Sequence, residues 1–146
     1  MNERRVGVQA RLREELGVDE DLIDHVVRAF YRKAREDALL GPVFNAKIEV
    51  WEPHLKAIID FWSSITLMTG RYHGQPMVKH LDLGIDARHF DRWLALWEET
   101  ARELCPEQAA ERLAMLSRRV GESLELGIAT SRGVFLKKGE RLAPAE

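Results

Sequence analysis

Helical periodicity runs through most of this 146-residue chain, and it limits the fold more than any other feature of the sequence. From about residue 22 to residue 128, apolar side chains recur every three or four positions, which places them on one face of a helix. No segment alternates apolar and polar residues for long enough to indicate a sheet. The pattern therefore predicts an all-α fold of four or five main helices and one very short helix.

Capping and helix-breaking residues mark the first of these helices. A short polar helix is expected over residues 3–16, ended by Gly17. Asp19 can cap the next helix with its side-chain oxygen, and Gly41-Pro42 is expected to break the helical pattern and form a connecting segment. The apolar face of this helix consists of Ile23, Val26, Val27, Phe30 and Ala34, with Tyr31 at its edge and His25 on the opposite side.

Similar signals divide the second part of the chain. A helix over about residues 50–70 is expected to bury one stripe and to leave Ser63 outside it. Pro76 can open a very short helix that carries His80, Asp86 can cap a longer helix, and Pro106 can open the last one, over about residues 106–130. The weak pattern beyond residue 132 predicts a frayed or disordered tail. The two stripes are Trp51, His54, Ile58, Phe61, Ile65 and Met68, and then Phe90, Trp93, Leu94, Trp97, Ala101 and Leu104.

Length, charge and cysteine content narrow the class of protein. One domain is expected over residues 18–132, between an N-terminal extension (1–17) and a C-terminal tail (133–146). A formal net charge of −2 favours neither nucleic acid nor an anionic membrane as a partner. The single cysteine, Cys105, cannot form an internal disulfide, which indicates a reducing, cytoplasmic location. No apolar segment has the length of a signal peptide or a membrane span.

Several common catalytic motifs are missing from the sequence. It contains no GxSxG, no P-loop, no HExxH and no glycine-rich dinucleotide fingerprint. No histidine follows a glutamate at the three-residue spacing of di-iron helical bundles. No strongly basic helix stands out as a DNA recognition helix. Hydrolase, nucleotide-binding, di-iron and helix-turn-helix functions therefore have no support in the sequence.

Four side chains could carry chemistry: Tyr31, His54, His80 and Trp93. Each also has a purely structural interpretation, because a histidine on an apolar face is usually a hydrogen-bonded core residue and a tryptophan usually fills space. His54 is in the middle of an apolar stripe, and His80 is on a very short helix between two loops. Residue types and spacing alone leave both interpretations open.

The order of the motifs along the chain distinguishes between these interpretations. "FY" on an early helix is followed by "LGPVF", "HxxxIxxFW", "YxGxPxxxHLDL" and "HFDRWLALW". This series resembles the truncated haemoglobins, and most closely their third (P-type) group, over about residues 22–105. The resemblance implies a truncated globin fold, a helical sandwich that encloses haem b (iron protoporphyrin IX) and has a very short proximal helix.

The resemblance also implies a role for individual residues. His80 matches the proximal iron ligand, and neutral imidazole is a standard axial ligand of haem iron. Tyr31, His54 and Trp93 match the polar residues on the ligand side, where catalysis would take place. His89 is an alternative proximal ligand, although a structural role or a propionate contact fits it better. The cofactor-binding residues are expected to be Phe44, Ile58, Phe61, His80, Phe90 and Trp97.

The function that the resemblance implies is binding of the diatomic ligands O2, NO and CO at a haem iron. Three polar groups on the ligand side also favour redox chemistry of O2, NO or peroxide, as in an NO dioxygenase or a peroxidase. Sustained turnover would need an external reductase as a partner. The alternatives are a haem-based sensor or binding module without turnover and, more remotely, a helical interaction domain without a cofactor.

Overall fold

The computed structural model describes residues 7, 10, 14 and 17–144, and residues 17–144 contain six helices and no strand. The predicted all-α class is therefore confirmed for this part of the chain. The predicted helix over residues 3–16 lies outside the described residues, apart from three isolated positions. No helix in residues 17–144 has both the length and the apolar character needed to cross a membrane. The helices are α1 (Glu20–Glu36), α2 (Leu40–Lys47), α3 (Trp51–Leu67), α4 (Pro76–His80), α5 (Ala87–Leu104) and α6 (Glu107–Ser131).

Helix α1 begins where the sequence predicts. The Asp19 side chain accepts a hydrogen bond from the backbone N–H of Leu22 at 2.8 Å, which satisfies one of the unpaired donors of the first turn. Acidic residues in the first turn and basic residues in the last turn match the helix dipole. The predicted apolar face is buried, and His25 is exposed, as expected. The buried residues of α1 are Ile23, Val26, Val27, Phe30, Tyr31 and Ala34.

Helix α2 replaces the predicted connecting segment, so that prediction was wrong. Asp37, which follows α1, accepts a hydrogen bond from the N–H of Leu40 at 3.0 Å and so stabilises the start of α2. Pro42 falls in the first turn of α2, where a missing N–H leaves no bond unmade. Gly41 lies against the end of α1, because a Cβ there would come within 2.7 Å of the Arg35 carbonyl oxygen. The two supposed helix breakers therefore allow a new helix to start close to α1.

Helix α3 ends three residues before the predicted boundary at Gly70. Met68 follows it in a left-handed conformation with a φ of 59° and is 46% exposed, so its predicted place in the apolar stripe was wrong. Ser63, expected outside the stripe, is buried, and its hydroxyl lies 2.9 Å from that of Thr69. The segment after α3 folds back on the end of the helix, where Thr69 contacts Ser63 and the N–H of Tyr72 donates to the Ser64 hydroxyl at 2.9 Å.

The helices pack around an aromatic core. Helix α5 packs on α1 and α6, and α1 also contacts α2 and α3. The rings of Trp62 and Trp97 stack with centroids 4.2 Å apart, and Phe30 meets Trp97 edge to face at 5.3 Å. Of the described helices, only α6 packs against the short helix α4. A space is therefore left between α4 and the helices α1 and α3.

The C-terminal tail packs on α5 and α6, so the prediction that it is frayed or disordered was wrong. Leu142 is buried, its carbonyl accepts the N–H of Ala87 at 2.9 Å, and its own N–H donates to Glu125 at 2.9 Å. The Arg141 guanidinium contacts the carboxylates of Glu125 at 2.9 Å and Asp91 at 2.8 Å. The division into a domain over residues 18–132 and a tail over residues 133–146 stays a prediction.

Candidate functional site

A cavity of about 540 Å³ occupies the space between α4 and the helices α1 and α3. Side chains from all of the described helices line it, and most of them are apolar. Its volume falls in the range of about 300–1,000 Å³ that small-molecule and cofactor sites occupy. The cavity is therefore large enough for a cofactor, and it is the candidate functional site.

The structure brings nearly all of the predicted site residues to this cavity. They reach it from α1, α2, α3, α4 and α5, which are far apart in the sequence. Of the nine predicted residues, the ones that line the cavity are Tyr31, Phe44, His54, Ile58, Phe61, His80, Phe90 and Trp93.

Trp97 is the exception, because it lies in the core and does not line the cavity. It is 1% exposed, and its indole N–H donates to the carbonyl of Leu113 at 3.3 Å. Its ring stacks on Trp62, which does line the cavity. Trp97 therefore supports the wall from behind through Trp62, and direct contact with a cofactor has no basis in this geometry.

His80, the last residue of α4, is half-buried and oriented by its own helix. Its Nδ1 atom lies 2.5 Å from the carbonyl oxygen of Pro76, one turn earlier. A carbonyl oxygen can only accept, so Nδ1 carries a proton, and in the neutral form of the ring Nε2 has its lone pair free for a metal. A histidine held this way is arranged as metal-binding histidines usually are, with the second ring nitrogen bonded to a carbonyl.

Packing also positions the helix that carries His80. Met77 covers Gly127 of α6 so closely that a Cβ at residue 127 would overlap its sulfur atom. Because α4 contacts no other described helix, this close approach is a main part of its attachment. The predicted proline start of α4 is confirmed.

Tyr31 and Trp93 bring hydrogen-bond donors to the cavity. Tyr31 is 6% exposed, and within residues 17–144 no hydrogen bond engages its hydroxyl group or the indole N–H of Trp93. Burial raises the pKa of Tyr31, so the hydroxyl stays protonated and able to donate. The rings of Tyr31 and His54 meet at 5.7 Å, nearly perpendicular to each other.

His54 adds a third polar group near Tyr31. Its Nε2 atom is buried and has no hydrogen-bond partner among the described residues. Burial, followed by the charges of Lys79 and His80, lowers the pKa of His54 below its ordinary value. The ring is therefore neutral near pH 7. A buried nitrogen without a partner is costly, and a ligand in the cavity could satisfy it.

His89 also lines the cavity, but it takes part in the cap of α5. Its Nδ1 accepts a hydrogen bond from the N–H of Asp86 at 3.1 Å. The Asp86 carboxylate in turn accepts hydrogen bonds from backbone N–H groups in the first turn of α5. The Arg88 guanidinium beside Asp86 lowers the pKa of that carboxyl to about 2. These contacts give His89 a structural role and leave only its second nitrogen for a ligand.

Sequence reasoning missed several residues of the cavity wall. Because α2 was not expected, the shared face of Val43 and Lys47, four residues apart, could not be recognised. Tyr72 could have been found, since it stands in the "YxGxP" motif. Lys79 and Lys47 also line the cavity and are exposed, and Lys47 is paired with Asp82 at 3.0 Å.

Comparison with known proteins yields two matches, while no family model matches the chain. The chain is 40% identical over 88 residues to "Group 3 truncated hemoglobin ctb" of Campylobacter jejuni, a match that covers 57% of this chain and 69% of that protein. Its fold matches a crystal structure of group III truncated hemoglobin from Campylobacter jejuni with a TM-score of 0.69 at 29% identity. That match covers 84% of this chain and 95% of the other. The sequence comparison and the fold comparison thus both match a group III truncated hemoglobin.

Proposed function

The chain belongs to the truncated haemoglobin family, in its third group, and from this we propose that its cavity binds haem b and small diatomic ligands. His80 is the proposed protein ligand of the haem iron. Tyr31, His54 and Trp93 are the proposed contacts of an O2, NO or CO molecule. The observation that carries the proposal is one cavity that is lined by an oriented imidazole, by Tyr31 and Trp93, and by His54, whose buried Nε2 has no hydrogen-bond partner among the described residues.

The residues present fit a haem group. A planar apolar ring needs a cavity of this size with aromatic and aliphatic walls, and Phe44, Ile58, Phe61 and Phe90 supply them. Iron needs one imidazole nitrogen, and the proton on Nδ1 of His80 leaves Nε2 for that role. The buried Nε2 of His54 is an unsatisfied polar atom in the same cavity.

Each residue on the proximal side has a separate task. When bound, haem would supply an iron that can bind a small ligand and exchange electrons with it. The Pro76 carbonyl holds the ring of His80 in one tautomer and makes its Nε2 more basic. Met77, seated over Gly127, holds α4 against α6 and thereby sets the position of His80.

On the ligand side, the polar groups can orient a small molecule and stabilise negative charge on it. The hydroxyl of Tyr31 and the indole N–H of Trp93 can donate, and neither has a competing protein acceptor within residues 17–144. Neutral His54 can donate or accept at Nε2, according to its tautomer. Three such groups exceed what storage of a ligand requires, so we propose redox chemistry of O2, NO or peroxide, with electrons from an external reductase.

Absorption spectra test the binding proposal. Protein supplied with haem should show a Soret band, with ferric, ferrous and ferrous–CO forms typical of a histidine-ligated haem. His80→Gly should lose or alter this spectrum, and imidazole in the buffer should restore it. His89→Ala is the matched control, because His89 lies in the same cavity and should leave the histidine-ligated spectrum in place. Loss of the spectrum in His89→Ala but not in His80→Gly would make His89 the ligand.

Turnover distinguishes an enzyme from a binding module. Ferrous protein with O2 should consume NO, or ferric protein should consume peroxide, at a rate that falls in Tyr31→Phe and Trp93→Phe. Equal rates in these variants and in wild type would remove the polar groups from the mechanism. Ligand binding without measurable consumption of either compound would favour the sensor or binding-module function.

A further inference from the structure

Trp51 contacts two of the polar residues of the cavity without lining the cavity itself. It is the first residue of α3 and is half-buried. Its ring centroid lies 5.8 Å from that of His54, at 89°, and 5.8 Å from that of Tyr31, at 58°. It is absent from the cavity wall to which both of its neighbours belong. Trp51 therefore lies behind His54 and Tyr31, on the side away from the cavity.

The other side of Trp51 is turned toward solvent and covered by a cation. The guanidinium carbon of Arg35, an exposed residue of α1, lies 4.3 Å from the centre of the Trp51 ring. The Asn45 side chain of α2 donates to the backbone carbonyl of Arg35 at 3.2 Å. Val50, the residue before Trp51, is 67% exposed. Arg35, Trp51 and the pair His54–Tyr31 thus follow one another from the surface to the cavity.

This order matters because of the unsatisfied nitrogen of His54. A buried imidazole nitrogen without a partner gains a hydrogen bond when it reaches water, so the His54 ring has a reason to turn outward. The Trp51 indole packs nearly perpendicular to that ring, with the ring centroids 5.8 Å apart, and so restricts its movement. The same indole packs against Tyr31, whose hydroxyl no described residue holds in place.

We propose that Trp51, with Arg35 on its outer face, is a positioning residue that keeps His54 and Tyr31 directed into the cavity and through them limits the entry of small ligands. This inference rests on the proposed function, because it concerns access to the same site. Trp51 itself touches no ligand, and its effect passes through the two side chains that it holds.

Rebinding of CO after flash photolysis of the ferrous protein tests the inference, together with the C–O stretching band of the complex. Trp51→Ala should raise the bimolecular rebinding rate at least about threefold, within the range over which variants of one site differ. It should also broaden or shift the C–O band, because His54 and Tyr31 no longer hold one orientation. Trp51→Phe keeps an aromatic edge and should stay close to wild type in both measurements.

Two arginine variants form the matched control. Arg35→Ala should change the CO rebinding rate in the same direction as Trp51→Ala, but by a smaller factor. Arg32 is on the same helix and is also exposed, and Arg32→Ala should leave the rate at the wild-type value. A wild-type rate and band in Trp51→Ala would overturn the inference. If Trp51→Ala fails to retain haem, equal rates in the two arginine variants would overturn it. Failure of the proposed function would be distinct, since wild type itself would then form no CO complex.

Discussion

Replacement of Tyr31 by phenylalanine should loosen a bound polar ligand and leave the fold as stable as before. The ring would keep its edge-to-face contacts with Phe30 at 5.0 Å and Phe44 at 5.3 Å. The hydroxyl makes no hydrogen bond with residues 17–144, so its removal breaks no bond within them. The free energy of unfolding should therefore change by less than about 0.5 kcal/mol, or increase because a buried polar group is gone.

The effect on O2 follows from the hydrogen bond that the hydroxyl can donate. Bound O2 carries partial negative charge, and a hydrogen bond of this kind contributes about 1–3 kcal/mol. At 1.4 kcal/mol for each factor of ten, the O2 dissociation rate should rise roughly 5- to 150-fold. Stopped-flow replacement of O2 by CO measures this rate. CO is less polar, so its own dissociation rate should change less than that of O2.

Tyr72 provides the control, because it lines the same cavity and replacement by phenylalanine removes the same phenolic oxygen from it. Its ring meets that of Phe61 at 5.3 Å, on the segment before α4. Tyr72→Phe should leave O2 dissociation near the wild-type rate. The reasoning is refuted if Tyr31→Phe releases O2 at that rate too, since the hydroxyl would then not face the ligand. A large loss of stability in Tyr31→Phe would show that the hydroxyl instead supports the fold.

Two further predictions concern stability. Burial, followed by the charges of Lys79 and His80, lowers the pKa of His54 from 6.5, so folding favours the neutral ring and stability falls as the pH drops below that value. Urea titrations at pH of about 7.5 and about 5.5 should show a larger loss in wild type than in His54→Phe. Arg141→Ala should lower the free energy of unfolding by about 1–2 kcal/mol, because Glu125 is buried while its partner is partly exposed.

Each of these predictions has an outcome that contradicts it. Equal pH dependence in wild type and His54→Phe would mean that the His54 ring is hydrated in the folded protein. For the tail, Lys138→Ala is the control, since Lys138 is exposed and should tolerate alanine. If Arg141→Ala and Lys138→Ala unfold at the same denaturant concentration, the tail does not support α5 and α6.

Local signals in the sequence predicted most helix starts correctly. Asp19 and Asp86 cap α1 and α5 with their side chains, and Pro76 opens α4. Each of these capping interactions acts within one helical turn, so the neighbouring residues in the sequence are enough to predict it. The start of α2 was different, because it depends on Gly41 lying against the Arg35 carbonyl at the end of α1.

Most residues of the candidate site were predicted from motifs. The structure shows why the position of the remaining residues could not be predicted. Trp62 and Trp97 are both buried, and helical periodicity could not tell which of them reaches the cavity. Their stacking at 4.2 Å puts Trp62 at the wall and Trp97 behind it. The place of Trp51 behind His54 likewise depends on Arg35 and Tyr31 of another helix.

The sequence by itself therefore predicted the helical class, most helix starts and, through the motif series, the family. Only the tertiary structure decided that α2 is helical, that the tail is packed and that α4 stands apart from α1 and α3. The physical reason is the range of the interactions. Capping and periodicity act between residues a few positions apart, whereas a cavity is the space left when all of the helices have packed, which depends on every side chain at once.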